Sequence, residues 1–240
     1  MKIGTREWSS FLINQAKTIE IDLDHTQNRL FSTHAIELIK WTQKINLTTI
    51  TNPIEVASNH FLDSLVPARF IPPGARMLDI GSGGGFPGIP LKVLLPGLSV
   101  ILIDASRKKV SFLKHVIRTL KLDNIEALHK RAEDLAKHPS YINRFDVIIS
   151  RALSSLDSFV NLALPLLADE GVIIAMKGEV EKAELDDLRH NVLEKINAAG
   201  SVDRQITISL ESYGLPSLNS ERTIIIVRGA IYLTRINRKK

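Results

Sequence analysis

The four residues Met77-Leu78-Asp79-Ile80 run straight into Gly81-Ser82-Gly83-Gly84-Gly85-Phe86-Pro87-Gly88, and a helix-compatible stretch follows. Few folds accommodate that order. Residues without a Cβ let a strand turn tightly into a helix and bring backbone amides to a ligand at the helix's positive end, as in the first crossover of a parallel α/β sheet. The alternation continues downstream. Strands are expected at Arg76 to Ile80, Val100 to Asp104, Ile125 to His129, Asp146 to Ser150, Gly171 to Met176, Ile206 to Leu210 and Thr223 to Arg228. Helices are expected at Pro87 to Leu95, Lys108 to Leu120, Leu156 to Leu167 and Glu179 to Ala199. The link Glu211 to Glu221 is rich in turn residues and too short for a crossover helix, so the last two strands should pair antiparallel. The expected fold class is α/β: a Rossmann-like, seven-stranded, mostly parallel sheet with helices on both faces.

Upstream of Ile71 only helical spacing is present, through Trp8, Phe11, Leu12 and Ile19, then Ile36, Leu38, Ile39 and Ile45, with Ser32 or Thr33 placed to cap the second helix. Pro72-Pro73-Gly74 breaks that pattern. Residues 1–70 are therefore expected to form a small helical domain and residues 71–240 the sheet domain. A hydrophobic content of 44% supports a full core. No apolar run approaches the roughly 20 residues that span a bilayer, and the polar start lacks a leader's apolar stretch, so a cytoplasmic protein without membrane association is expected. The chain has no cysteine, which excludes disulfides, thiolate metal sites and a cysteine nucleophile. A net charge of +5 favours approach to a polyanion, and it concentrates in Arg107-Lys108-Lys109, Lys130-Arg131 and the tail Arg235, Arg238, Lys239 and Lys240.

Two ligands compete for the glycine turn. Gly83 to Gly88 satisfies the dinucleotide fingerprint, yet Gly81 and Ser82 already close the strand, and Pro87 falls where a pyrophosphate-binding helix needs free amides. The spacing Asp79, Gly81, Gly83, Gly85 matches the class I methyltransferase pattern, with Asp79 suited to a ligand's ammonium group. Asp104, ending the second strand, suits ribose hydroxyls under either reading. Phe145-Asp146-Val147-Ile148-Ile149, an aromatic and an aspartate opening an aliphatic fourth strand, favours the methyltransferase and hence S-adenosylmethionine.

The acceptor is narrowed by elimination. Carbon methylation of cytosine through a covalent adduct needs a cysteine. Exocyclic amines are served by an Asn/Asp-Pro-Pro-aromatic loop after the fourth strand, where this chain has Ser150-Arg151-Ala152-Leu153, and ribose-hydroxyl enzymes want an aspartate there. A ring nitrogen such as guanine N7 carries an exposed lone pair and needs no general base. Arg151 can bond the guanine carbonyl or the cofactor carboxylate, and Lys177 at the end of the fifth strand has the same two roles open to it. A small-molecule methyltransferase and a non-catalytic, nucleotide-responsive ribosome-binding module remain as alternatives.

Several further strings belong together: Trp41 with Lys44-Ile45-Asn46-Leu47-Thr48, His60-Phe61-Leu62-Asp63-Ser64-Leu65, the glycine turn, Lys108-Lys109, Phe112-Leu113, Arg131-Ala132-Glu133-Asp134, Ser150-Arg151-Ala152 and Lys177-Gly178. In this combination the chain resembles the glucose-inhibited division protein B family (RsmG), bacterial 16S ribosomal RNA guanine-N7 methyltransferases. The resemblance implies that S-adenosylmethionine is held by Gly81, Phe86, Ala132, Glu133 and Arg151. It also implies S-adenosylhomocysteine as product, no metal, and 16S rRNA or the small ribosomal subunit as partner of a monomer. Phe86 can then pack on the cofactor, and Ala132-Glu133 can read an adenine edge. His60 and Asp63, three apart, share a helix face if Ser58 or Asn59 caps a helix there. The resemblance gives these two, with Asn46, contacts to RNA or to the methionine end of the cofactor.

Overall fold

The computed structural model describes residues 1–151, 155–198, 204–215 and 221–231. Ala152, Leu153, Ala199 and the basic tail from Arg235 to Lys240 lie outside them.

Helix α1 (Arg6–Thr18) starts at Thr5, whose hydroxyl accepts from the Trp8 amide, and helix α2 (His25–Thr42) starts at a capping box. In that box Asp24 accepts the Gln27 amide at 2.7 Å while the Gln27 side chain accepts the Asp24 amide at 3.0 Å. This corrects the cap expected at Ser32 or Thr33. Two orphan amides are satisfied reciprocally at Asp24, and the hydroxyls of Ser32 and Thr33 instead donate to the carbonyls of Asn28 and Arg29 inside the helix. The buried face of α2 carries Phe31, His34, Ala35 and Leu38, which leaves Ile36, read from the sequence as part of the apolar pattern, 47% exposed.

A third helical run joins α3 (Pro53–Glu55), a π-helix (Val56–Leu62), α4 (Asp63–Leu65) and a 3-10 turn (Val66–Phe70). Its cap is Asn52, not Ser58 or Asn59: the Asn52 side chain accepts from the Ile54 and Glu55 amides, and Ser58 and Asn59 lie within the π-turn.

The sheet contains β1 (Arg76–Ile80), β2 (Ser99–Asp104), β3 (Ile125–His129), β4 (Phe145–Ser150), β5 (Leu167–Lys177), β6 (Arg204–Gly214) and β7 (Glu221–Ile231) in the order β3-β2-β1-β4-β5-β7-β6. The first five are parallel and β7 runs antiparallel to β6, as expected, and antiparallel to β5 as well. The connecting helices are α5 (Gly88–Leu94), α6 (Arg107–Leu120), the single turn α7 (Ala132–Leu135), α8 (Leu156–Ala163) and α9 (Lys182–Ala198). Strand β6 runs on to Gly214, so much of the link expected from Glu211 is strand, paired residue for residue with β7.

Alternation along the strands divides the apolar residues between two faces. Met77, Val147, Ile149, Val172, Ile174 and Ile224 enter one cluster, and Leu78, Ile148, Ile173, Ala175 and Ile225 enter the other. The first cluster also takes Trp8, Leu12, Phe31, Leu38, Phe61 and Leu65 from the N-terminal helices, so those helices and one face of the sheet share one core. At the sheet's amino edge Arg76 grips Asp146 with two hydrogen bonds of 3.0 and 2.8 Å, so the aspartate that opens β4 stitches strands on the edge away from the glycine turn.

Candidate active site

The carboxyl ends of β1, β2 and β4 and the turn after β1 form one constellation. Gly81, Gly83 and Gly85 have φ of 75, 54 and 89°, a region that side chains with a Cβ avoid. The turn is tied to its neighbour by the Gly81 and Ser82 amides, which both reach the Ile103 carbonyl. Beneath it Asp79, fully buried, accepts the Gly88 amide at 3.0 Å, so the first amide of α5 is spent on a carboxylate within the chain. The other oxygen of Asp79, Oδ1, is buried with no hydrogen-bond partner among the described residues, and burial pushes the carboxyl pKa up to about 7. Asp104 accepts the Gly83 amide at 3.0 Å through one oxygen and the Ser106 amide at 2.7 Å through the other. Each oxygen keeps a further lone pair for a hydroxyl.

Phe86 sits between two imidazoles. His34 stacks on it at 4.8 Å and His60 at 4.7 Å between centroids, Phe61 meets it edge-on at 5.3 Å, and only 4% of Phe86 is exposed. Both faces of the ring are thus covered by protein. His34 bonds the Gly84 carbonyl at 2.8 Å, tying α2 to the glycine turn, and burial lowers its pKa to about 4.

Arg151 leaves the end of β4 and turns toward the N-terminal helices. It donates to the Asn59 carbonyl at 2.6 Å and to His60 Nδ1 at 3.3 Å, and its guanidinium lies 3.5 Å from the Asp63 carboxylate. It also lies 5.2 Å from the Phe86 ring centre. Asp63 is buried and accepts the Tyr213 hydroxyl at 2.7 Å from β6, and Arg222 on β7 donates to the Asn59 side chain at 2.7 Å. His60 bonds Thr48 at 2.8 Å through its other nitrogen, and burial together with the Arg151 charge drives its pKa to about 3. With both ring nitrogens engaged and that pKa, it is a weak proton acceptor.

Of the residues singled out in the sequence, the structure brings together Asp79, Gly81, Gly83, Gly85, Phe86, Asp104, Arg151, His60 and Asp63. Ala132 is buried beside Leu78 and Ile103, while Glu133 is exposed in the first turn of α7. Lys177 is held by both oxygens of Glu184 on α9, at 2.5 and 2.6 Å, and Asn46 is exposed two residues before the Thr48 that bonds His60.

Sequence reasoning missed His34, Asn59, Tyr213 and Arg222. His34 carries a signal: it falls with Phe31, Ala35 and Leu38 on the apolar stripe of α2, where an imidazole must find a partner inside the protein. Tyr213 and Arg222 meet the site only through the pairing of β6 with β7, to which local pattern is blind.

This strand order, with its glycine turn and two acids at the carboxyl edge, defines the class I methyltransferase fold. The solved O-methyltransferase of Bacillus cereus in complex with SAH is similar, with a TM-score of 0.58 at 18% identity over 92% of this chain and 98% of that one. So is the TYW2 protein of M. jannaschii in complex with AdoMet, with a TM-score of 0.55 at 14% identity over 77% of this chain and 79% of that one. Within that class the chain belongs to the rRNA small subunit methyltransferase G family, whose model matches residues 27–206. The ribosomal RNA small subunit methyltransferase G of Geotalea uraniireducens is 46% identical over 76% of this chain and 86% of its own length. That of Geobacter sp. strain M21 is 40% identical over 88% of this chain and 93% of its own.

Proposed function

We propose that the chain transfers a methyl group from S-adenosylmethionine to N7 of a guanine in 16S ribosomal RNA. The observation that carries this reading is the joint arrangement of the glycine turn, Asp79 and Arg151 in a chain of this family. The residues fit the cofactor: among the described residues a Cβ at Gly81 would meet nothing within 4 Å, so open space borders the turn, and the buried Asp79 Oδ1 is an acceptor without a donor. Gly81, Gly83 and Gly85 would give the cofactor close backbone approach, Asp104 would take its ribose hydroxyls, and Ala132 and Glu133 would read its adenine. Phe86 would contribute its main chain, because His34 and His60 cover its ring.

When bound, the cofactor would supply an electrophilic methyl on its sulfonium, transferred in line to the acceptor nitrogen as the carbon–sulfur bond breaks and S-adenosylhomocysteine leaves. Guanine N7 brings its own lone pair, so the protein has no proton to remove and its task is positioning and exclusion of water. This agrees with His60 and His34, both weak bases in their buried settings. Arg151, held by Asp63, the Asn59 carbonyl and His60, would be the polarising cation for the guanine carbonyl or the cofactor carboxylate. Asp63 and His60 act through Arg151, Asn46 would meet the approaching RNA, and Lys177, paired with Glu184, would offer a second cation at the end of β5. Residues 1–70 would serve as a cap over the cofactor mouth, and the active species would be a monomer.

The test is transfer of label from S-adenosylmethionine to small subunits, or their rRNA, from a strain lacking the gene, followed by mapping of 7-methylguanine. Wild type should label one guanine, and Arg151→Ala should lose at least a hundredfold in rate with the fold intact, on the order of 3 kcal/mol for a charged contact made in the transition state. Undiminished transfer by Arg151→Ala would remove its assigned role. Label in a metabolite fraction would favour a small-molecule acceptor, and binding to subunits without label a non-catalytic module.

A further inference from the structure

The basic strings Arg107-Lys108-Lys109 and Lys130-Arg131 lie more than twenty residues apart in sequence and side by side in the fold. Strands β2 and β3 pair in register up to Asp104 and His129, and the His129 ring bonds the Ala105 carbonyl at 3.0 Å. The segments that follow, Ser106 to Lys109 and Lys130 to Arg131, therefore leave the carboxyl edge of the sheet together, beside the Asp104 that supports the glycine turn. From there α6 continues as a ridge. Arg107, Lys114 and Arg118 are spaced seven and four apart and so share one face, and Lys121 follows as the left-handed cap of the helix. All four are exposed, and the buried Phe112, Leu113, Val116 and Leu120 lie around the far side of the helix. The helix has no acidic residue, and among the described residues none of Arg107, Lys108, Lys109, Lys114, Arg118, Lys121, Lys130 or Arg131 takes part in an ion pair. Strand β3 is the sheet's edge, so nothing in the sheet lies beyond this flank.

Stability does not account for the pattern. Three cations in the first turn of α6 face the positive end of the helix dipole, and like charges one turn apart repel, each at a cost of a few tenths of a kcal/mol. At α7 the opposite choice is made: Glu133 and Asp134 occupy its first turn, where the dipole favours acids. A run of cations placed against their own helix end and left without partners is complementary to a row of phosphates.

We infer that α6 and the junction of β3 with α7 form a phosphate track that holds the rRNA strand beside the target guanine and leads it to the mouth defined by Asp104 and Arg151. The inference rests on the rRNA reading of the active site and adds the surface that carries the RNA. At 1.5 Å per residue the ridge is about 21 Å long, enough for several successive phosphates. The contacts are to backbone, so they supply affinity and register while the choice of base stays at the active site.

The experiment compares wild type with the quadruple variant Arg107→Gln, Lys108→Gln, Lys114→Gln, Arg118→Gln, and with the charge-conserving Arg107→Lys, Arg118→Lys. Binding to 16S rRNA is measured across a salt series, with KM and kcat for methyl transfer and with affinity for S-adenosylmethionine alone. The quadruple variant should lower the slope of log K against log salt by about two to three, near 0.7 per lost phosphate contact. It should raise KM for RNA at least tenfold, leave kcat at saturating RNA within twofold, and bind cofactor like wild type, while the lysine variant keeps the wild-type slope. An unchanged slope and KM with normal methylation would overturn the track and leave the methyltransferase reading standing. A loss confined to cofactor affinity would likewise overturn it. A wild type that binds 16S rRNA with the expected salt dependence and adds no methyl would overturn the reaction but not the track, and failure to bind would overturn both.

Discussion

Asp79 accepts the Gly88 amide at the end of the glycine turn and His60 stacks on Phe86 within it, and burial moves their protonation in opposite directions. The Asp79 carboxyl is raised from 3.8 to about 7, so its folded form holds the proton more tightly than its unfolded form, and its contribution to stability is lost as pH rises from about 4 through 7. His60 is lowered from 6.5 to about 3 and therefore contributes the reverse, stability lost as pH falls from 6.5 toward 3. Asn at position 79 keeps an acceptor for the Gly88 amide and cannot ionise. Chemical denaturation of Asp79→Asn and wild type between pH 4 and 7 should show the variant gaining on wild type as pH rises, by a total on the order of a few kcal/mol. A difference that stays constant across that range would mean that the carboxyl does not titrate there. Chemistry at this scale was partly legible beforehand: Asp79, Asp104 and Arg151 are marked by their place at strand ends. The imidazole sandwich around Phe86 was not, because it is assembled from α2, the π-helix and the turn, three segments with no common local pattern.

At the scale of elements, the turn between β1 and α5 is packed as tightly as it is bent. A Cβ on Gly88 would come within 2.4 Å of Leu102 and 2.6 Å of Asp79 Oδ2. Gly88→Ala should thus cost about 1 to 3 kcal/mol and displace Asp79, whereas Gly178→Ala, with nothing within 4 Å, should be nearly neutral. Thermal unfolding of the pair measures the difference, and equal midpoints would contradict the packing. The parallel strands were legible because each is an aliphatic run ending in turn chemistry. Starts of helices were less so: Ser32 and Thr33 look like caps, but the Asp24 and Gln27 pair satisfies two amides at once and begins α2 earlier. The reach of β6 to Gly214 was hidden by Glu211, Ser212 and Gly214, turn-like residues kept extended by their partners on β7.

Across the whole molecule, the N-terminal helices are structural partners of the sheet. Phe31, Leu38, Phe61 and Leu65 pack into the cluster that holds Met77, Phe86, Ile89 and Val147. Residues 71–240 expressed alone should expose that face, bind a hydrophobic dye and lose the cooperative unfolding of the full chain. Calorimetry and dye binding would show it, and a fragment that unfolds sharply and stays dye-free would mark the sheet as self-sufficient. The shared core was not legible in the sequence, where Pro72-Pro73-Gly74 marks a break in pattern and is silent on what packs across it.

The hydrogen bond from Tyr213 to Asp63 spans 150 positions of chain. Asp63 precedes Arg151 in the chain and Tyr213 follows both, so during synthesis the guanidinium emerges after its carboxylate and before the hydroxyl that bonds the same carboxylate. A growing chain folds from its N-terminus as it emerges, and this one could have its glycine turn in place well before its arginine is fully held.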